Sequence, residues 1–124
     1  MNMHNIVLIN SSFNMIKPVN GQIDNQISLN TQIQPIADLK TVLHVHLQVN
    51  IKAHESAEQF GSLDETYFVP VEFDDGDILD TQVVTKAIVR QMIPLLSQDV
   101  NYFFGKACVP MMPPAVLLQI LKNK

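Results

Sequence analysis

From Leu39 to Ile51 the chain alternates between apolar and polar positions. Leu43, Val45, Leu47, Val49 and Ile51 fall on one parity, and His44, His46, Gln48, Asn50 and Lys52 on the other. Side chains on a strand point alternately to opposite faces, so this pattern predicts a long antiparallel strand with one dry face. Gln26 to Gln34 repeats it, with Ile27, Leu29, Thr31 and Ile33 opposite a row of amides and hydroxyls, and Pro35 is expected to end the strand. Val7 to Lys17 carries a β-rich apolar run that stops at Pro18, before a turn at Val19-Asn20-Gly21. Glu65 to Phe73 is apolar on both parities through Tyr67, Phe68, Val69, Val71 and Phe73. Pro70 cannot donate to a ladder, which places that strand at an edge or a bulge. The polar stretch His54 to Asp64, with Gly61 inside it, reads as a link.

The period then changes. Val84, Ile88, Met92, Leu96, Val100, Phe103 and Ala107 recur at spacings of three and four, the stripe of a helix packed on one side. Asp74-Asp75-Gly76-Asp77 forms a turn before it, and Asp80 or Thr81 can cap it. Pro94 removes a backbone hydrogen bond, so a kink or two consecutive helices are expected, the longer running to Phe104 with Gly105 as its stop. Pro110, Pro113 and Pro114 mark an extended connection to a short last helix, Ala115 to Leu121. Four strands followed by helices, without alternation, predict an α+β fold: an antiparallel meander covered on one face.

With 124 residues the chain has room for one core, so residues 1–124 are read as a single domain. Asn and Gln number ten each, as many as all the charged residues together. A surface polar by amide rather than by charge repels neighbours weakly and suits a subunit that associates. The net charge of −4 argues against a phosphate-tracking surface, because eight Lys and Arg scattered among twelve acids form no basic stripe. No apolar run approaches the roughly 20 residues of a membrane span. The N-terminal apolar run Ile6-Val7-Leu8-Ile9 is too short for a signal peptide, and a lone Cys108 gives no internal disulfide. The expected compartment is the cytoplasm.

Candidate chemistry is sparse. His44 and His46 share one face of a strand at a real metal-ligand spacing, with His54 or Glu55 as conceivable further ligands. The plainer account makes them polar residues on a wet face, and no metal or other cofactor is expected. Cys108 follows a helix end, where no dipole lowers its pKa, and reads as a small buried hydrophobe. Asp74, Asp75 and Asp77 resemble half a calcium loop without the distal Glu that closes one. No phosphate loop, nucleophile elbow or catalytic carboxylate pair stands out, so the chain is not read as an enzyme. What remains is surplus apolar surface: the fourth strand, Tyr102-Phe103-Phe104, Val109 and Met111-Met112 around a Pro-rich connection. Sulfur and aromatic groups on such a segment adapt to many shapes.

The order of these elements resembles the SecB export chaperone family over nearly the whole chain. Ile9 to Pro18, with Ser12-Phe13 at its centre, is similar to the family's first strand. Leu43 to Ala53 and Glu65-Thr66-Tyr67-Phe68-Val69 resemble its third and fourth strands. Ile93-Pro94-Leu95 down to Val109-Pro110 resembles its main helix, and Met111-Met112-Pro113-Pro114 its Leu-x-Pro-Pro linker. The resemblance implies a homo-oligomer, a dimer or a tetramer built from dimers, that keeps unfolded precursor polypeptides from folding and passes them to the translocation motor SecA. The residues expected to hold the client are Tyr67, Phe68, Phe103, Phe104, Val109, Met111 and Met112. Those at the motor-facing positions are Asn10, Asn14, Val69, Val71 and Glu72, where the family's acids are replaced or displaced. Ala115 stands for the usual Asn after Pro-Pro, and the chain ends Leu121-Lys122-Asn123-Lys124 without an acidic tail.

Two functions of different class follow. One is a general holdase serving export. The other is a SecB-fold protein dedicated to one partner, such as an antitoxin, or an oligomeric scaffold. A small metal enzyme using His44 and His46 is a weaker third.

Overall fold

A computed structural model describes residues 2–3, 5–37, 40–73 and 81–110, together with 115 and 119. In chain order the elements are β1 (Asn2–Met3), β2 (Val7–Met15), β3 (Ile23–Ala37), β4 (Lys40–Ala53), β5 (Gln59–Glu72) and α1 (Thr81–Lys106). All the pairings are antiparallel, in the order β1-β5-β4-β3, with β2 also on β5. The short β1 and the longer β2 thus share one edge, giving four strand positions.

The expected meander holds for β3, β4 and β5 only. The first strand crosses back to pair with the last, Phe13 opposite Leu63 and Leu8 opposite Tyr67, so β5 is interior rather than an edge. Pro70 is accommodated because β1 ends opposite Val71 and β2 begins opposite Phe68, leaving Val69 and Pro70 unpaired on that side. β5 also begins six residues earlier than the sequence suggests. Phe60 and Leu63 already belong to the core, and the buried Gly61 lets β2 approach: a Cβ there would lie 2.5 Å from Met15 Sδ and 3.0 Å from the Asn14 carbonyl oxygen. Pro35 does not end β3, which continues to Ala37 through an irregularity in its pairing with β4.

The dry face is the one the alternation names. Leu43, Val45, Leu47, Val49 and Ile51 of β4 are buried with Leu63, Tyr67, Val69 and Val71 of β5. α1 covers them with Val84, Ile88, Met92, Leu96, Val100, Phe103 and Phe104. It is one continuous helix with Pro94 inside it, not two. Gly105 does not stop it either. The stop is a Schellman turn: Cys108 takes φ 59°, the Val109 N–H bonds the Phe104 carbonyl at 2.9 Å, and the Cys108 N–H bonds the Gly105 carbonyl at 3.3 Å. That turn leaves Cys108 exposed, correcting the expectation of a buried thiol, and buries Val109. The Asp74-Asp75-Asp77 turn and the cap at Asp80 lie outside the described residues. Of the short last helix, Ala115 and Gln119 are described, and both are helical and exposed. Among the described residues no helix is long and apolar enough to cross a membrane.

Candidate polypeptide-binding groove

Along β2 and just after it, a row of apolar side chains is left uncovered. Val7, Leu8, Ile9, Phe13 and Ile16 are each between 45% and 57% exposed. The pairing register puts Leu8, Ser11, Phe13 and Met15 on the helix side of the sheet, beside Tyr67, Glu65, Leu63 and Gly61. The helix does not reach out over this edge, so a groove opens between β2 and the last turns of α1. One part, about 380 Å³, lies between Leu8 and Phe13 on the strand and Tyr102 and Phe103 on the helix. A second, about 630 Å³, continues past Met15, Ile16 and Val19 to Ala107 and Cys108, with Lys106 lining both parts. Volumes of this order suit side chains or a short segment of polypeptide.

Three polar groups sit under the apolar rim. Glu65 is buried, and the Tyr67 hydroxyl lies 3.0 Å from its Oε2 while also contacting Asp99 of α1. Burial first, and then the charge of Asp99, pushes the Glu65 carboxyl up to about 7. The Tyr67 hydroxyl is pushed well above its ordinary value, mainly by burial and by its bond to Asp99.

The predicted client-binding residues are dispersed around this groove. Phe103 forms its base, with no exposed surface of its own. Tyr67, Phe104 and Val109 are core side chains, correcting the expectation that they form a surface: residues 96, 100, 103, 104 and 107 belong to one apolar stripe, and the Schellman turn folds Val109 back onto it. Phe68 lies on the opposite face of the sheet, its ring 4.2 Å from that of His44. Met111 and Met112 lie outside the described residues. The residues that sequence reasoning missed are Leu8, Phe13, Glu65 and Asp99. Alternation along β2 is broken by a register shift between Leu8 and Asn10, which hides the apolar parity that Phe13 belongs to.

The face of the sheet away from α1 is a ladder of amides, hydroxyls and imidazoles. His46 Nε2 is 2.7 Å from Asp64 Oδ1, and Gln48 donates to Asp64 Oδ2 at 3.1 Å. These two bonds hold the Asp64 carboxyl below its ordinary value. His44 meets Gln34 at 3.0 Å, and His54 meets Asp24 at 3.0 Å. Among the described residues no three His, Cys, Asp or Glu side chains come together as metal ligands. Asn10 and Asn14 are exposed on this same face, beside Thr66 and Ser62. Glu72 lies 3.5 Å from Lys40. Val69 and Val71 are buried on the other face, so the motor-facing set does not form one surface. The parity of β5 separates them.

No protein-family model matches this sequence, and no curated protein is similar to it in sequence at a significant level. Solved structures do match. The SecB-like chaperone of Mycobacterium tuberculosis, in complex with a ChAD peptide from the HigA1 antitoxin, superposes with a TM-score of 0.73 over 90% of this chain and 86% of that one, at 10% identity. Element order, strand pairing and this superposition agree that the chain has the SecB-like fold.

Proposed function

We propose that this protein is a non-catalytic chaperone that holds segments of unfolded polypeptide in the groove between β2 and α1. The observation that carries the reading is the exposed row Leu8, Phe13 and Ile16 over that groove, with Tyr102 exposed on the helix across from it. An arbitrary client offers no prearranged pattern of hydrogen bonds, so apolar area has to supply the grip, at about 25 cal/mol per Å². Phe103 supports the groove from below, and Met111 and Met112, which follow Val109-Pro110 in sequence, are proposed as further client-binding residues. The protein works as a homo-oligomer in the cytoplasm. The test is dilution of a denatured, unrelated protein into this one. Suppressed aggregation supports a general holdase, and unchanged aggregation removes it.

A dedicated binder is the second reading, favoured by the antitoxin peptide in complex with the Mycobacterium tuberculosis chaperone of the same fold. Such a protein ignores arbitrary clients and protects one chain. Delivery to the SecA motor is the finest part of the export reading. Asn10 and Asn14 carry no charge here and Glu72 has Lys40 beside it, so electrostatic docking is weak as the chain stands. Introducing Asp at Asn10 and Asn14 is expected to leave holding intact and to strengthen SecA binding, measured by titration calorimetry.

A further inference from the structure

A phenol has one hydrogen to give. Tyr67 Oη lies 3.0 Å from Glu65 Oε2 and within bonding reach of Asp99 Oδ2, so two carboxyl oxygens face one hydroxyl. If both carboxyls were ionised, one of these contacts would set a carboxylate against an oxygen lone pair. Both contacts are satisfied when one carboxyl keeps its proton and donates it to the phenol oxygen, while the phenol donates to the other. The three groups come from two elements, Glu65 and Tyr67 from β5 and Asp99 from α1, so the shared proton spans the helix–sheet interface.

We infer that Glu65, Tyr67 and Asp99 form a one-proton latch that fastens the C-terminal half of α1 to β5 and loosens as the pH rises toward neutrality. Among the described residues no cation forms an ion pair with either carboxyl. Across the sheet Glu65 faces Leu47 and Ser11, and Tyr67 faces Val45 and Leu8, all uncharged. From α1 the other titratable groups at the groove are Tyr102 and Lys106, and the Lys106 ammonium lies over the Tyr102 ring, 5.3 Å from its centroid. Loss of the proton therefore leaves two carboxylates together in a confined site, an arrangement that like-charge repulsion and desolvation both oppose. Glu65, almost wholly removed from solvent, is the member that retains the proton at lower pH. The sign follows from linkage. A carboxyl whose folded-state value is raised stabilises the fold relative to higher pH, and its contribution is lost as the pH climbs from the ordinary value of 4.5 to about 7. α1 is thus held most firmly below neutral pH, and with it the helix wall of the groove.

The latch is tested on the protein alone, without a client. A carbon-detected NMR titration of the side-chain carboxyls is expected to show one midpoint near neutrality, absent in Glu65→Gln. The Gln amide imitates the protonated acid by donating to the phenol, so amide-exchange protection in α1 around Asp99 should become independent of pH in that variant. In the wild type it should fall with rising pH, by at most about tenfold per unit, the limit for one proton. Should Glu65→Gln not fold, Asp99→Asn serves instead: the Glu65 midpoint must move down once its charged neighbour is gone. Both carboxyls titrating below pH 5, a wild-type exchange profile in Glu65→Gln, or an unmoved midpoint in Asp99→Asn each overturn the latch.

Discussion

Phe13 stands edge-on to Phe103, with ring centroids 5.0 Å apart and ring planes at 84°. The two rings have opposite fates. Phe13 is 45% exposed on the edge strand and Phe103 is fully buried on the helix. The pair is therefore where the core of the protein passes into the wall of the groove.

That contrast separates holding from folding. Phe103→Ala is expected to destabilise the fold by about 3–5 kcal/mol, as aromatic truncations in cores do. Phe13→Ser loses one edge-to-face contact, about 0.5–1.5 kcal/mol, and part of its burial. Chemical denaturation should leave Phe13→Ser folded, while its suppression of client aggregation falls several-fold. Equal loss of holding and stability in that variant would place the client elsewhere.

Gly61 and Met15 make the second case. Gly61→Ala is expected to destabilise the protein by about 1–3 kcal/mol through overpacking, because the new methyl meets Met15 Sδ and the Asn14 carbonyl. Met15→Ala in the same chain should relieve the side-chain part of the clash but not the backbone part. A double-mutant cycle in urea measures the coupling, and full additivity would mean that the two residues do not meet.

The legible parts of this fold are those where one physical rule acts alone. β4 alternates for a dozen residues because one face meets the helix and the other does not, and the stripe on α1 is its counterpart. Competing demands hid the rest. Ser62 and Asp64 made the start of β5 look like a loop, although Asp64 is on the amide face with His46. Phe104 and Val109 looked available because apolar residues near a Pro-rich link resemble a binding surface. Their burial depends on where the helix sits and on the left-handed turn at Cys108. Phe13 could not be singled out, because its exposure depends on how far α1 reaches across the sheet.

Cys108 gives a stabilising prediction. It holds φ 59°, a left-handed conformation that costs an L-residue roughly 1–2 kcal/mol and glycine almost nothing. Cys108 is exposed, so little packing is lost. Cys108→Gly is therefore expected to raise the stability by up to about 1 kcal/mol, less the added freedom of the unfolded chain. Thermal unfolding under reducing conditions checks it, and a lowered midpoint would show that the thiol contributes packing.

His46 and Asp64 contribute to the acid limb of stability. Asp64 is held below its ordinary value of 3.8 by His46 and Gln48, so its contribution is present above that value and is lost as the pH falls through the lowered one. Asp64→Asn should be less stable than the wild type at pH 6 and should lose less on going to pH 2.5. His44→Gln, whose ring meets only Gln34 and Phe68 in its described contacts, is expected to change stability by a few tenths of a kcal/mol. His46→Gln should cost more than His44→Gln, and the reverse order in urea titrations would contradict the pairing.

The last prediction concerns the edge itself. β2 is paired to β5 on one side only, and Val7, Leu8 and Ile9 are about half exposed along it. Unprotected apolar edge strands are templates for another chain, and proteins that remain monomeric usually blunt them with charge. β2 carries none: its residues run Val-Leu-Ile-Asn-Ser-Ser-Phe-Asn-Met. A second copy pairing here makes a two-fold interface, so each substitution acts twice. Ile9 is 51% exposed in the single chain, so pairing buries about half of each side chain, roughly 0.75–1.5 kcal/mol per copy, and Ile9→Lys weakens dimerisation by roughly one to two powers of ten before the repulsion of the two ammonium groups is added. Gln32→Lys on the opposite edge strand, β3, should leave assembly unchanged. Light scattering at micromolar concentration is expected to give an oligomer for the wild type and Gln32→Lys, and a monomer for Ile9→Lys. A monomeric wild type would leave the apolar edge to clients alone, and an Ile9→Lys oligomer would move the interface off β2.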